Sequence, residues 1–282
     1  RRHVCDAHPA RGAQGHGRVG RSRDPIMSIQ PADRASTCRG RLHNLGGSCP
    51  LPVDPLSMDH GLKIAVWNVR SLNSRSRCTA IRSLLDTTAA SIVCLQETKM
   101  ELLCSSVVLD TLGSEFDDYT YLPAHGTQGG ILLAWKSRAV TITDPLFTTN
   151  AHSARVATAS GIPWWLSVVY GPQDDADKIA FLLELREIRA ACPGPWMLCG
   201  DFNLILRDED KNNGNLNRRM MGRFRRLVND LALKAVYLNG RRFTWSNEQS
   251  PPTLVHLDRV LCTSDWEDAH GECHLRCLAS VV

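Results

Sequence analysis

Four short polar stretches in this 282-residue chain share one context, the end of an apolar run: Trp67-Asn68, Gln96-Glu97-Thr98, Tyr170-Gly171-Pro172 and Gly200-Asp201-Phe202-Asn203. A strand gives a side chain at its end a rigid origin and an exposed tip, so chemistry concentrates there. Two carboxylates with amides beside them form the oxygen-rich donor set that a hard cation such as Mg²⁺ prefers. Each stretch alone has an ordinary explanation. An Asn after a strand serves a turn, Gln-Glu-Thr fits a solvated loop, and Gly-Asp-Phe-Asn fits an Asx turn before a helix. Together, in this order and these contexts, they point to one site.

The elements that would position them follow from periodicity. Strands are predicted over 62–67, 91–95, 117–121, 130–135, 140–143, 164–170, 196–199, 241–245, 257–261 and 275–282, from apolar alternation or short apolar runs. Helical spacing predicts helices over 77–88, 177–190 and 216–233, the second ended by Pro193 and Gly194. Hairpin-like strands mixed with helical crossovers suit two packed sheets with helices outside.

The ordered set of motifs, extended by Thr244-Trp245 and Leu257-Asp258-Arg259-Val260-Leu261, resembles the endonuclease/exonuclease/phosphatase family over residues 62–282. Ile64-Ala65-Val66-Trp67-Asn68-Val69-Arg70, Gly129-Gly130-Ile131-Leu132-Leu133-Ala134-Trp135 and Phe243-Thr244-Trp245-Ser246-Asn247 look like the endonuclease domain of plant non-LTR retrotransposons. The resemblance implies a four-layer α/β sandwich and a Mg²⁺-dependent phosphodiester hydrolase that nicks DNA, with Mn²⁺ as the alternative metal. It implies that Glu97 is the main metal ligand, with Asn68 beside it. Asp201 would orient or deprotonate the attacking water, Asn203 would contact the scissile phosphate, and Tyr170 would stabilise charge there. Asp258 would hold a histidine in its working tautomer. Such chemistry builds negative charge on phosphate oxygens, which a cation and oriented donors stabilise. Two alternatives stand beside it: a phosphatase or phosphodiesterase of the same family acting on a small phosphoester, and an inactive remnant that binds nucleic acid.

Family members carry Ser-Asp-His after the last strand, and this sequence reaches Val282 without it, so a truncated domain of impaired activity is expected. His256, two residues before Asp258, is not expected to substitute, because it cannot approach the phosphate from the opposite side.

Residues 1–57 hold nine Arg, four Asp, no Lys, no Glu and no aromatic residue, a net charge of +5. They are expected to be an unstructured leader, since they cannot bury enough apolar surface to offset their ordering entropy. The domain is expected over 58–282, with Met58 a plausible start. Its 24 basic and 25 acidic residues leave it at −1, so a DNA phosphate backbone would have to meet a local patch. The five arginines among residues 218–226 are one such patch, or a solvated helix face. His270, Cys273, His274 and Cys277 are zinc-ligand types at a spacing unlike the common zinc patterns, which favours a structural reading. Of Trp164 and Trp165, alternation sends one into the core. The eleven cysteines are irregularly spaced, and Cys94 and Cys199 lie in apolar runs, as buried reduced thiols do. No secretory signal and no run of eighteen apolar residues occurs, so a nuclear or cytoplasmic, non-membrane, monomeric protein is expected.

Overall fold

The computed structural model describes residues 26–31, 61–126, 129–159, 161–271 and 273–278. The first half of the chain forms β1 (Ile26–Pro31), β2 (Ile64–Asn68), α1 (Arg75–Thr88), β3 (Ile92–Gln96), α2 (Ser105–Leu112), β4 (Asp118–Leu122), β5 (Ile131–Trp135), β6 (Thr141–Phe147) and β7 (Ala151–Ala157). The second half forms β8 (Trp164–Tyr170), α3 (Asp175–Ala191), β9 (Trp196–Asp201), α4 (Arg218–Asp230), β10 (Leu233–Ala235), β11 (Leu238–Asn239), β12 (Trp245–Ser246), β13 (Leu254–Val255), β14 (Asp258–Thr263), α5 (Ser264–His270) and β15 (Cys273–Leu278).

Two mixed sheets result. One has the order β11-β15-β1-β2-β3-β5-β4, the other β10-β14-β9-β8-β7-β6, and β12 and β13 form a separate ribbon. Alternation along each strand sorts the side chains into layers. Ile64, Val66, Cys94 and Leu133 of the first sheet meet Leu166, Val168, Met197 and Val260 of the second between the sheets. Ala65, Trp67, Val93 and Leu95 face outward and are covered by Ile81 and Leu85 of α1 and Val108 and Leu112 of α2. Val169, Trp196 and Leu198 face outward on the other side, under Phe181 and Leu185 of α3 and Phe224 and Leu227 of α4. The architecture is the expected four-layer α/β sandwich, two mixed sheets flanked by helices.

The helix ends have local causes. Asp174 caps α3 by accepting from the Ala176 amide at 2.8 Å, and Asp175 and Asp177 suit the positive end of that helix. Asn217 caps α4 by accepting from the Met220 amide at 3.0 Å. Trp164 is buried edge-on against Trp266, while Trp165 is half-buried. Cys94 and Cys199 are fully buried, and burial raises the Cys94 thiol well above its ordinary value.

Several expectations need correction. An unstructured leader over 1–57 does not hold for β1, which lies between β2 and β15 and is antiparallel to both. Met27 and Ile29 enter the inter-sheet core at 1% and 2% exposure, an alternation too brief to stand out in an Arg- and Gly-rich context. The domain therefore does not begin at residue 58, and the rest of 1–57 lies outside the described residues. β7 was not expected, because Ala151, Ser153 and Ala154 are too small to show an apolar pattern although all are buried. The strand expected over 241–245 is reduced to β12, and the one over 275–282 is β15, with residues 279–282 outside the description. No helix among the described residues is long and apolar enough to cross a membrane.

Candidate functional site

The alternation that builds the core also builds the site. Asn68 shares the inward parity of Ile64 and Val66, Tyr170 that of Leu166 and Val168, Asp201 that of Met197 and Cys199, and Asp258 that of Val260 and Cys262. Four core rows thus end in a polar residue at the same end of the sandwich. Register fixes their neighbours: Tyr170 pairs with Asp201 across β8 and β9, Asp201 with Asp258 across β9 and β14, and Asn68 with Gln96 across β2 and β3. The two sheets are joined there directly, because Asn68 Nδ2 donates to Asp201 Oδ2 at 3.1 Å.

The loops complete the arrangement. Just beyond β3, Glu97 takes the left-handed conformation, φ 56°, and turns out of the strand alternation. Its carboxylate lies near enough to the Tyr170 phenol to raise its pKa, and pairs with Lys99 Nζ at 3.0 Å. Asn203 is also left-handed, φ 49°, with its amide donating to Asp201 Oδ1 at 2.9 Å and its Nδ2 to the Gly171 carbonyl at 2.6 Å. Such backbone strain in non-glycine residues persists where the surroundings over-determine it, typically at functional sites. Asp258 is set by Thr244, whose hydroxyl accepts from the Leu257 and Asp258 amides at 2.9 and 3.0 Å. All six residues singled out in the sequence, Asn68, Glu97, Tyr170, Asp201, Asn203 and Asp258, therefore lie at one end of the sandwich.

Electrostatics distinguishes their states. Burial first, then the charges of Glu97 and Asp201, push the Tyr170 phenol well above its ordinary value, with Arg70 acting the other way. Tyr170 is therefore a protonated donor at neutral pH. Both Asp201 oxygens already accept N–H bonds, which suits fixing a water more than removing its proton. For a metal, the donors are the Glu97 carboxylate and the Asn68 amide oxygen, which also accepts from the Arg70 amide at 3.2 Å. No group of three or more His, Cys, Asp or Glu converges among the described residues. One carboxylate and one amide still fit Mg²⁺, which usually takes few protein ligands and keeps waters or phosphate oxygens.

Beside Glu97 and Tyr170 opens a cleft of about 1130 Å³. Its wall carries Glu101, Asp174, Asp177, Glu184 and Glu187, and among the described residues Lys99 is the one cation lining it. This acidic surface was not foreseen, because its members come from separate elements. Thr244 and Gly129 stood out in the sequence only as members of motifs, with no role in the site. A Cβ at Gly129 would stand 2.7 Å from Tyr170 Cε1 and 3.0 Å from Glu97 Cα, so only glycine allows this approach.

Other candidates fall elsewhere. His256 faces Asp210, with its Nδ1 3.8 Å from Asp210 Oδ1, and burial, then Arg259, pushes it down to about 4. His270 bonds the Trp266 carbonyl and stacks on that ring, consistent with the structural reading of the zinc-type cluster. Of the five arginines, Arg218 pairs with Asp208 and Arg225 donates to the Leu206 carbonyl.

The profile of the Endonuclease/Exonuclease/phosphatase family matches residues 65–280. The chain belongs to this family. Its members are hydrolytic nucleases and phosphoesterases, so the protein is an enzyme by family. Among solved structures, the endonuclease domain of TRAS1, a telomere-specific non-LTR retrotransposon, has a TM-score of 0.55 and 14% identity, covering 73% of this chain and 86% of that one. The AP endonuclease LMAP from Leishmania major has a TM-score of 0.53 and 16% identity, covering 72% and 79%. The 3′ phosphatase NExo from Neisseria, bound to a product DNA hairpin, has a TM-score of 0.52 and 19% identity, covering 71% and 86%. At these identities the likeness is one of fold. No curated protein sequence matches the chain.

Proposed function

We propose that this enzyme is a divalent-metal-dependent DNA endonuclease of the non-LTR retrotransposon kind, working as a monomer in the nucleus or cytoplasm. The observation that carries the reading is the junction of the sheets, where Asn68 bonds Asp201 and Tyr170 and Glu97 both close on Gly129. Glu97 and Asn68 would hold Mg²⁺, or Mn²⁺ in its place, which when bound neutralises charge developing on the phosphate. Asp201 holds the attacking water in line. The remaining N–H of Asn203 donates to a non-bridging oxygen, and the Tyr170 hydroxyl, which carries one proton, turns to the phosphate when Glu97 is engaged by the metal. Asp258, whose amide donates to the Thr244 hydroxyl, would orient a partner imidazole.

The acidic wall favours a second reading. A polynucleotide running through the cleft would meet Asp177, Glu184 and Glu187, whereas a small phosphoester could bind nearer the sheet junction and avoid much of that repulsion. On the endonuclease reading, the DNA backbone approaches from the Arg70 side.

Nicking of supercoiled plasmid in Mg²⁺, with a small phosphomonoester assayed in parallel, separates the two. We expect plasmid nicking that Glu97→Gln abolishes and Glu101→Gln leaves within a few-fold, with Mg²⁺ binding weakened only by the former. Turnover of the phosphomonoester alone would favour the second reading. Nicking that survives Glu97→Gln would refute the site.

A further inference from the structure

The groove between α3 and α4, on the outer face of the second sheet, is unused by the chemistry above. It is clasped at both ends: Asn217 Nδ2 donates to Asp175 Oδ2 at 2.6 Å near the helix starts, and Arg186 pairs with Asp230 at 2.7 Å near their ends. Between the clasps the floor is apolar and open. Ile179 is 39% exposed and Leu183 57%, one turn apart on α3, with Leu182 and Leu227 beneath. Exposed aliphatic side chains at this spacing do not serve the core, which α3 fills with Phe181, Leu182, Leu185 and Ile188.

Opposite charges line the two flanks. On α4, Arg219, Arg223 and Arg226 recur at i, i+4 and i+7 and so share one face. Arg223 and Arg226 border the same hollow as Ile179 and Leu183, and Arg219 borders its continuation. Unlike Arg218 and Arg225, these three make no hydrogen bond or ion pair among the described residues. On the other side of Leu183, α3 presents Asp177 and Glu187, while Glu184 between them accepts from the Asn150 amide and Nδ2 at 2.7 and 2.8 Å. An apolar seam between a cationic and an anionic row is the pattern by which helices select one another in coiled coils. A nucleic-acid backbone fits it less well, because phosphate would gain from one row, be repelled by the other and leave the seam wet.

We propose that the α3–α4 groove docks an amphipathic helix of a partner protein, its apolar seam on Ile179 and Leu183, its carboxylates toward Arg219, Arg223 and Arg226, and its ammonium groups toward Asp177 and Glu187. The span from Ile179 to Arg186 is about 10 Å at 1.5 Å per residue, room for two turns of contact. Asp177, Leu183 and Glu187 also line the cleft beside Glu97 and Tyr170, so a helix seated here borders that cleft.

The probe is a fluorescein-labelled three-heptad peptide with a leucine seam, glutamates along one edge and lysines along the other, measured by anisotropy against the full chain. We expect saturable binding, weakened at least tenfold by Leu183→Asp and by the pair Arg223→Glu and Arg226→Glu, with thermal melting of both variants unchanged. A same-composition peptide with scrambled order should bind at least tenfold more weakly than the probe. Scrambled peptide binding as well as the probe, or variants binding like the parent, would overturn the proposal. A 20-base-pair duplex that binds and loses affinity in the double arginine variant, while the peptide does not bind, would overturn it in favour of a phosphate-backbone surface.

Discussion

The strand drawn from residues 26–31 makes a sharp prediction about the minimal domain. Removing residues 1–57 takes β1 with it. Six residues of β15 and three of β2 lose their partners, and β15 keeps only the two-residue pairing with β11. Two core side chains, Met27 and Ile29, are lost as well. Burial of each contributes roughly 1.5–3 kcal/mol, so the apolar part alone is about 3–6 kcal/mol. That is a large share of a stability that is commonly about 5–15 kcal/mol. Ile29→Ala isolates one contact. At 2% exposure it should cost about 2–4 kcal/mol, and each kcal/mol lowers the melting temperature of a domain this size by roughly 2–4 °C. We therefore expect Ile29→Ala to melt about 4–16 °C below the parent by circular dichroism. Ser28→Ala, on the opposite face of the strand, should stay within about 0.5 kcal/mol. The 58–282 fragment should melt lower still, or aggregate through the newly bared strand edges. If that fragment melts within two degrees of the full chain, or if Ile29→Ala and Ser28→Ala behave alike, β1 is not part of the sandwich.

Gly129→Ala puts a methyl group against Tyr170 and the Glu97 backbone, and should cut plasmid nicking tenfold or more while shifting the melting temperature by only a few degrees. Arg259→Ala should cost about 3–5 kcal/mol in chemical denaturation, because it strips the buried Asp210 carboxylate of its cation. Burial holds His152 neutral, pushed down to about 4 from an ordinary 6.5. Its unfolded form takes up a proton first as pH falls, so stability should drop by about 3 kcal/mol between pH 6.5 and 4, and the His152→Gln variant should flatten that part of the pH–stability curve. Neutralising the cleft wall with Asp177→Asn and Glu187→Gln should tighten duplex binding severalfold at low salt and have little effect at high salt, measured by anisotropy.

Residue types and two simple periods carried much of this structure. The apolar alternation of Ile64, Val66 and Asn68, of Leu166, Val168 and Tyr170, and of Val260 with Asp258 is written in the sequence, and it already puts each polar group on its strand's inner face. That alternation accounts for Asn68, Tyr170 and Asp258, whereas Glu97 and Asn203 lie beyond their strands and were picked out by the order of the motifs and the family resemblance. Their meeting was a tertiary matter. Asn68 and Asp201 are 133 positions apart, and only the stacking of one sheet on the other closes the hydrogen bond between them. The same holds for the charges. Helical spacing put five arginines on α4, but which of them are held by Asp208 and the Leu206 carbonyl, and which stay open along the α3 groove, depends on neighbours from other elements. The acidic cleft wall likewise gathers Glu101 with residues of α3 and the turn before it. β1 is the plainest case: six residues of weak alternation cannot order themselves against the entropy of a flexible chain, and they become a strand because β2 and β15 offer two edges and a core to fill.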